Sequence, residues 1–263
     1  MIRLWNCDSI PMREINFPKD TVVITDPPYG NGKYATDKVV PIEYYQWLVS
    51  SFKTVAIFGY PEKLIGVCIG IGKQPDEWIT WFPTNKTNAK SLTRMPKSSE
   101  CIAIYGETPN ASKLLRPRSN THKMLGKIAK DRRIKNIFEA REDDVWRDPS
   151  PHMGFHGAKR RHTNEKPLSL MMKLVLLCSV EGETVFDPFM GSGTTGEAVV
   201  VLGERNFYGI EKDFDYFSTA ENVISTAQKG SLRLLTPREP DKGDSPDLQA
   251  LSTLGAGSAL GDL

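Results

Sequence analysis

Short apolar runs alternate with amphipathic stretches along most of the chain, and that alternation sets the expected elements. Val22 to Thr25, Thr54 to Phe58, Glu77 to Phe82, Cys101 to Tyr105, Thr184 to Phe186 and Asn206 to Ile210 are brief, apolar and bounded by turn formers, which predicts strands. Ile42 to Ser51, Pro61 to Gly70, Pro167 to Val180, Thr194 to Leu202 and Phe214 to Gln228 predict helices. In the third of these, Pro167 suits a first turn and Leu170, Met171, Leu174, Leu177 and Cys178 share one apolar face. Strands alternating with helices predict an α/β fold: a mostly parallel sheet, helices on both faces, and sites at the carboxyl ends of the strands. Glu77 to Phe82 and Cys101 to Tyr105 have no clear helix between them, so they predict an antiparallel hairpin at one edge of the sheet.

Composition narrows the class. With 263 residues, 39% hydrophobic and 25% charged, the chain can bury a sizeable core, and it reads as one globular domain with an inserted region. It has no run long enough to span a bilayer and no signal-peptide pattern, which predicts a soluble protein. Cys7, Cys68, Cys101 and Cys178 are widely separated, which suits a reducing cytoplasm better than a disulfide framework or a zinc site. Net charge is only +2, yet from Thr84 to Lys135 there are 13 Lys or Arg against 3 acidic residues. A basic insert on an otherwise acidic scaffold predicts a polyanionic partner. His122, His152, His156 and His162 match no metal-ligand spacing and read as loop residues; from Thr236 to Leu263 the composition predicts a disordered tail.

Chemistry concentrates in two segments. Asp26-Pro27-Pro28-Tyr29 follows the run Val22-Val23-Ile24, so a strand end offers a carboxylate, proline-shaped carbonyls and an aromatic ring together. That set suits an amino group on a flat base: the amine's lone pair is delocalised into the ring, and acceptors must draw on its N–H protons from outside. The same residues also suffice simply to end a strand, since proline cannot continue a ladder.

Downstream, Thr184-Val185-Phe186 leads into Asp187-Pro188-Phe189-Met190-Gly191-Ser192-Gly193-Thr194-Thr195-Gly196 and then a helical stretch. Strand, glycine turn, helix is the order of a nucleotide-type site. Gly191 and Gly193 allow close backbone approach, and Thr194 or Thr195 is expected to cap the helix. Glu211 ends the next strand and can accept hydrogen bonds from both hydroxyls of a ribose. Asp187 before the first glycine would repel a pyrophosphate but can receive a cationic amino-acid group. A ligand with ribose, adenine and a positively charged methionyl tail suits the segment better than a nicotinamide dinucleotide.

Together these motifs resemble the amino-type DNA methyltransferases that use S-adenosylmethionine. In that family Asp-Pro-Pro-Tyr is the catalytic motif and Asp-Pro-Phe-x-Gly-Ser-Gly-Thr-Thr the cofactor motif. Their order here, catalytic first, resembles the circularly permuted beta group, whose target-recognition segment lies between the two. The resemblance covers roughly residues 1 to 227. It implies a Rossmann-like methyltransferase fold, with catalytic residues Asp26, Pro27, Pro28 and Tyr29. It implies cofactor contacts from Asp8, Lys166, Asp187, Pro188, Phe189, Gly191, Ser192, Gly193, Thr194 and Glu211, and no metal. Asp8 closes the opening strand and, like relatives' acidic residue there, would lie near the adenine, although Asp8 with Ser9 can equally cap a short helix. Lys166, in His162-Thr163-Asn164-Glu165-Lys166-Pro167, would line the methionine end.

The division expected is a catalytic half over 1–105, a basic target-recognition insert over 106–161, a cofactor half over 162–235 and the tail over 236–263. Double-stranded DNA is the expected partner, its target base flipped into a pocket formed by Tyr29 and a second wall from Trp81 or Phe82, unless those two belong to the core. Asp at the head of the motif resembles the adenine-N6 enzymes more than the cytosine-N4 enzymes. A DNA-binding regulator without turnover, or methylation of RNA or a protein amide, are the rival readings. Cytosine-C5 chemistry is disfavoured, because no cysteine is placed to act as nucleophile. A homodimer and a companion restriction nuclease stay open.

Overall fold

The computed structural model describes residues 1–12, 16–28, 30, 39–83, 98–112, 114–117, 139–148 and 165–235. Ten strands and five helices occupy them. The strands are β1 Ile2–Asn6, β2 Val22–Thr25, β3 Thr54–Gly59, β4 Glu77–Trp81, β5 Glu100–Gly106, β6 Leu115–Pro117, β7 Glu139–Arg141, β8 Val145–Trp146, β9 Thr184–Asp187 and β10 Asn206–Glu211. The helices are α1 Ile42–Ser51, α2 Pro61–Ile71, α3 Leu168–Cys178, α4 Thr194–Leu202 and α5 Phe214–Leu235.

Eight strands form one sheet in the order β1-β10-β9-β2-β3-β5-β4-β8. The first five in that order run parallel, β5 runs antiparallel to both β3 and β4, and β8 is parallel to β4. The expected hairpin is therefore present, with β5 on its inner side. Outside it, two-residue β8 and the residue before it accept from β4: the Thr80 amide donates to the Asp144 carbonyl at 2.7 Å and the Phe82 amide to the Trp146 carbonyl at 2.8 Å. That cover matters because an open strand edge would leave those groups unpaired. β6 and β7 pair separately as a small antiparallel sheet.

Period-two alternation divides the sheet's side chains between two cores. Val22, Ile24, Ala56, Phe58 and Val185 face Leu170, Leu174, Val199 and Ile224 of α3, α4 and α5. Val23, Val55, Ile57 and Phe186 face Tyr44, Tyr45, Leu48 and Leu64 of α1 and α2. All four residues of β2 and all six of β3 are buried. Central parallel strands covered on both faces read as continuous apolar runs for this reason. No helix among the described residues is long and apolar enough to cross a membrane.

Tyr29, the four histidines, most of the basic stretch (84–97, 113 and 118–135) and the tail 236–263 lie outside the described residues.

Candidate active site

β2 stops where Pro27 and Pro28 remove two successive ladder donors, and Asp26 is the residue left at its carboxyl end. On one side β2 pairs with β9, Val23 opposite Phe186; on the other it pairs with β3, Thr25 opposite Ile57. Because these strands are parallel, their carboxyl ends share one rim. Asp187 closes β9, Glu211 closes β10, and Asp8 lies two residues past the end of β1. The two motifs, far apart in sequence, are thus neighbours at one rim.

At the β2 end the electrostatics centre on Lys166, from the segment ahead of α3. Its Nζ donates to Asp26 Oδ2 at 2.5 Å and lies 3.1 Å from Glu100 Oε2 at the start of β5. Lys166 is 8% exposed, Glu100 11% and Asp26 23%, so the cluster is buried at its cation and opens toward solvent at Asp26. The ammonium also lies 5.2 Å from the Phe58 ring centroid and 5.9 Å from that of Trp81. Burial alone would lower the lysine's pKa, but the Asp26 and Glu100 charges outweigh it and hold the group above the ordinary lysine value. The Tyr60 phenol beside this cluster is pushed up by burial and by Glu100, against the pull of Lys166. Tyr45 of α1 is pushed up by burial and by the Asp26 charge. The resemblance places Lys166 at the methionine end of a ligand; in the structure its ammonium is engaged by the carboxylate of the Asp-Pro-Pro turn.

At the β9 end the carboxylate turns inward. Asp187 is buried, its Oδ2 accepting the Thr195 hydroxyl at 2.6 Å and its Oδ1 the Phe189 amide at 3.1 Å. Burial pushes its carboxyl up to about 7, against those two hydrogen bonds, and the nearby Asp26 charge adds to the rise. Its oxygens therefore brace the turn from within. The expected side-chain cap of α4 is absent: Gly193 is the N-cap residue and Thr195 gives its hydroxyl to Asp187 instead. Gly191 and Gly193 have φ of 53° and 85°, the left-handed region. A Cβ on Gly193 would lie 2.9 Å from the Ala220 Cα, so α5 packs where a side chain would stand. Phe189, half-buried, meets the Tyr44 ring edge-on at 5.8 Å. Ser192 and Thr194 are buried, and Pro188 joins Asp187 to Phe189.

Glu211 ties this turn to β10. Its Oε2 accepts the Gly191 amide at 3.0 Å and its Oε1 the Asp213 amide at 2.9 Å, while the Met190 amide donates to the Ile210 carbonyl at 3.0 Å. Burial raises the Glu211 pKa and the two amides oppose the rise. Each oxygen has a second lone pair, so the carboxylate retains capacity for a vicinal diol. On the adjacent strand Asp8 Oδ1 accepts the Ile10 amide at 3.0 Å, an Asx turn and not a helix cap. The donor and acceptor chemistry along this rim fits a ribose-bearing ligand.

Of the two candidate walls for a base pocket, Trp81 belongs to the core, 3% exposed, with its indole N–H donating to the Asp148 carbonyl at 2.9 Å. Phe82, one residue on, is 41% exposed at the same rim. Sequence reasoning missed Glu100 and Tyr60. Glu100 carries one available signal, an acidic residue directly ahead of a fully apolar strand.

The sequence profile of an N6/N4 family described as DNA methylase matches residues 21–222. Among curated proteins, the type II methyltransferase M.HinfI of Haemophilus influenzae is 25% identical over 207 residues, 74% of this chain and 52% of its own length. M2.MboI of Moraxella bovis is 32% identical over 143 residues, 54% of this chain and 47% of its own length. The chain thus spans about half the length of these two relatives. M.HpaI of Haemophilus parainfluenzae is 26% identical over 80% of this chain and 69% of its own length. Among solved structures, M1.HpyAVI, determined as a SAM complex, superposes with a TM-score of 0.57 at 24% identity, covering 85% of this chain and 99% of that one. PvuII DNA methyltransferase, cytosine-N4-specific, superposes at 0.56 with 14% identity, covering 88% and 93%. At such identities the structural likeness is one of fold.

Proposed function

This chain belongs to the N6/N4 DNA methylase family, and from that premise we propose that it transfers a methyl group from S-adenosylmethionine to an exocyclic amine in double-stranded DNA, adenine N6 in the first place. The observation that carries the reading is the pairing of β2 with β9, which sets the Asp26-Pro27-Pro28 turn beside the Asp187-to-Gly193 turn at one rim. A base amine and a methyl donor held by the two turns would meet without further rearrangement of the sheet.

In this reading Glu211 and Asp8 hold the ribose and adenine end of the cofactor, and the turn from Pro188 to Thr194 supports the rest through its backbone. When bound, the cofactor supplies a sulfonium methyl already activated for transfer. Asp26 and the Pro27 carbonyl accept the amine's N–H hydrogens and stabilise the positive charge that grows on nitrogen. The target base must leave the duplex stack to reach Asp26, and Tyr29 is assigned to hold its ring. Phe82 is the remaining candidate for the opposite wall.

Adenine is preferred because Asp26 heads the motif; the family itself spans both amines, so cytosine-N4 is the alternative. The division into a catalytic half (1–105), a basic recognition insert (106–161), a cofactor half (162–235) and a tail is proposed with it. So is action in the cytoplasm. The test is incubation with labelled S-adenosylmethionine and duplex DNA, followed by nucleoside analysis. N6-methyladenine is expected, N4-methylcytosine would select the alternative, and a duplex left without label would overturn the reading.

A further inference from the structure

We propose that Lys166 and Glu100 are positioning residues for Asp26, fixing its carboxylate at the rim, so that Lys166 serves the catalytic turn and not the cofactor. The inference rests on the function proposed above and deepens it.

Three observations support it. First, one nitrogen, Lys166 Nζ, holds carboxylates from two different strands within 3.1 Å, Asp26 after β2 and Glu100 in β5. A lysine bound at one point can swing on its four-carbon stem; one anchored from opposite sides is fixed, and what it holds is fixed with it. Second, the gradient of exposure puts the cation innermost and Asp26 outermost, so the carboxylate is steadied from behind while its outer side faces the rim. Third, among the described residues the titratable and charged groups facing Asp26 are Lys166 ahead of α3, Glu100 of β5, Tyr60 at the head of α2, Tyr45 of α1 and Asp187 of β9, and of these Lys166 alone is cationic, so it is the one that draws the Asp26 carboxylate to a fixed place.

The test uses the full chain and the variants Lys166→Met, Lys166→Arg, Glu100→Gln and the first and third combined. It compares S-adenosylmethionine affinity by calorimetry, kcat on duplex DNA, and melting temperature without ligand. Lys166→Met is expected to lower kcat by roughly 100-fold, the scale of a misplaced reacting group, with cofactor affinity unchanged. Lys166→Arg, which keeps the charge, should restore part of the lost kcat. Without ligand, Lys166→Met should lower the melting temperature and the double variant should regain part of it, because removing one partner of a buried ion cluster costs more than removing both. Weakened cofactor binding with kcat unchanged would overturn the proposal and return Lys166 to the ligand. Should Lys166→Met fail to fold, Glu100→Gln alone decides: reduced kcat at unchanged cofactor affinity supports the proposal, and wild-type kinetics refute it. A wild-type chain that labels no DNA amine would sink the proposed function instead, while the ligand-free melting series would still read the charge triad.

Discussion

The turns after β2 and at the end of β9 begin alike: each is a carboxylate followed by proline where a buried parallel strand stops. Their carboxylates then part. Asp26 is nearly a quarter exposed and sits at the open end of an ion cluster, whereas Asp187 is 3% exposed, its oxygens accepting the Thr195 hydroxyl at the start of α4 and the Phe189 amide of the turn. One carboxylate is held at the rim by a lysine behind it. The other is pushed toward neutrality by burial and kept in place by neutral donors. The same short sequence can therefore leave a carboxylate open at the rim or turn it inward as a brace, and the partner that folding brings to it decides which.

The largest expected effect breaks the comparison on the reactive side. Asp26→Ala should lower methyl transfer by about 10³-fold or more while leaving cofactor affinity largely intact, since it removes charge stabilisation aimed at the transition state. A labelled-methyl assay read beside calorimetry checks both halves of that statement. On the other turn, Gly191→Val should do the reverse. It forces a β-branched residue to a φ of 53°, with strain on the order of 1–3 kcal/mol, and should weaken cofactor binding before it slows chemistry. Calorimetric affinity equal to wild type would refute this.

Asp187→Asn sharpens the contrast through pH. The folded carboxyl lies near 7 against an ordinary 3.8, so the native state holds a proton there that the unfolded chain releases. Its contribution to stability is complete below the ordinary value and drains away between the two, with a slope approaching about 1.4 kcal/mol per pH unit. Denaturant unfolding between pH 4 and 7 should show a shallower decline for Asp187→Asn than for wild type. Parallel curves would mean that Asp187 is ionised throughout. The smallest effect is expected of Phe189→Leu, which removes an edge-on ring contact with Tyr44 worth about 1 kcal/mol and should shift the melting temperature slightly.

Much of the frame is legible from residue order alone. β2, α1 and α4 have the limits that apolar runs, Pro41 and Gly193 imply, because their ends are set by local backbone chemistry. The juxtaposition of the two motifs is also readable, since strands alternating with helices must place their carboxyl ends on one side. What could not be read are pairings made across the fold. Nothing near Lys166 in sequence announces Asp26, 140 residues away, or Glu100. Nor does Thr195 announce that it will serve Asp187 and leave the helix end uncapped. β8 escaped notice because two residues carry no periodicity, and its existence depends on β4 having an edge to cover.

The reversed direction of β5 has a consequence for how a polyanion would be met. Trp81 at the end of β4 lies opposite Glu100 at the start of β5, so the link carrying Lys86, Lys90, Arg94 and Lys97 departs and returns within one strand spacing of the ion cluster. Both moorings of that tether stand on the same bank as Asp26. In the proposed function, a phosphate backbone meeting that link would be met on the bank where the chemistry stands.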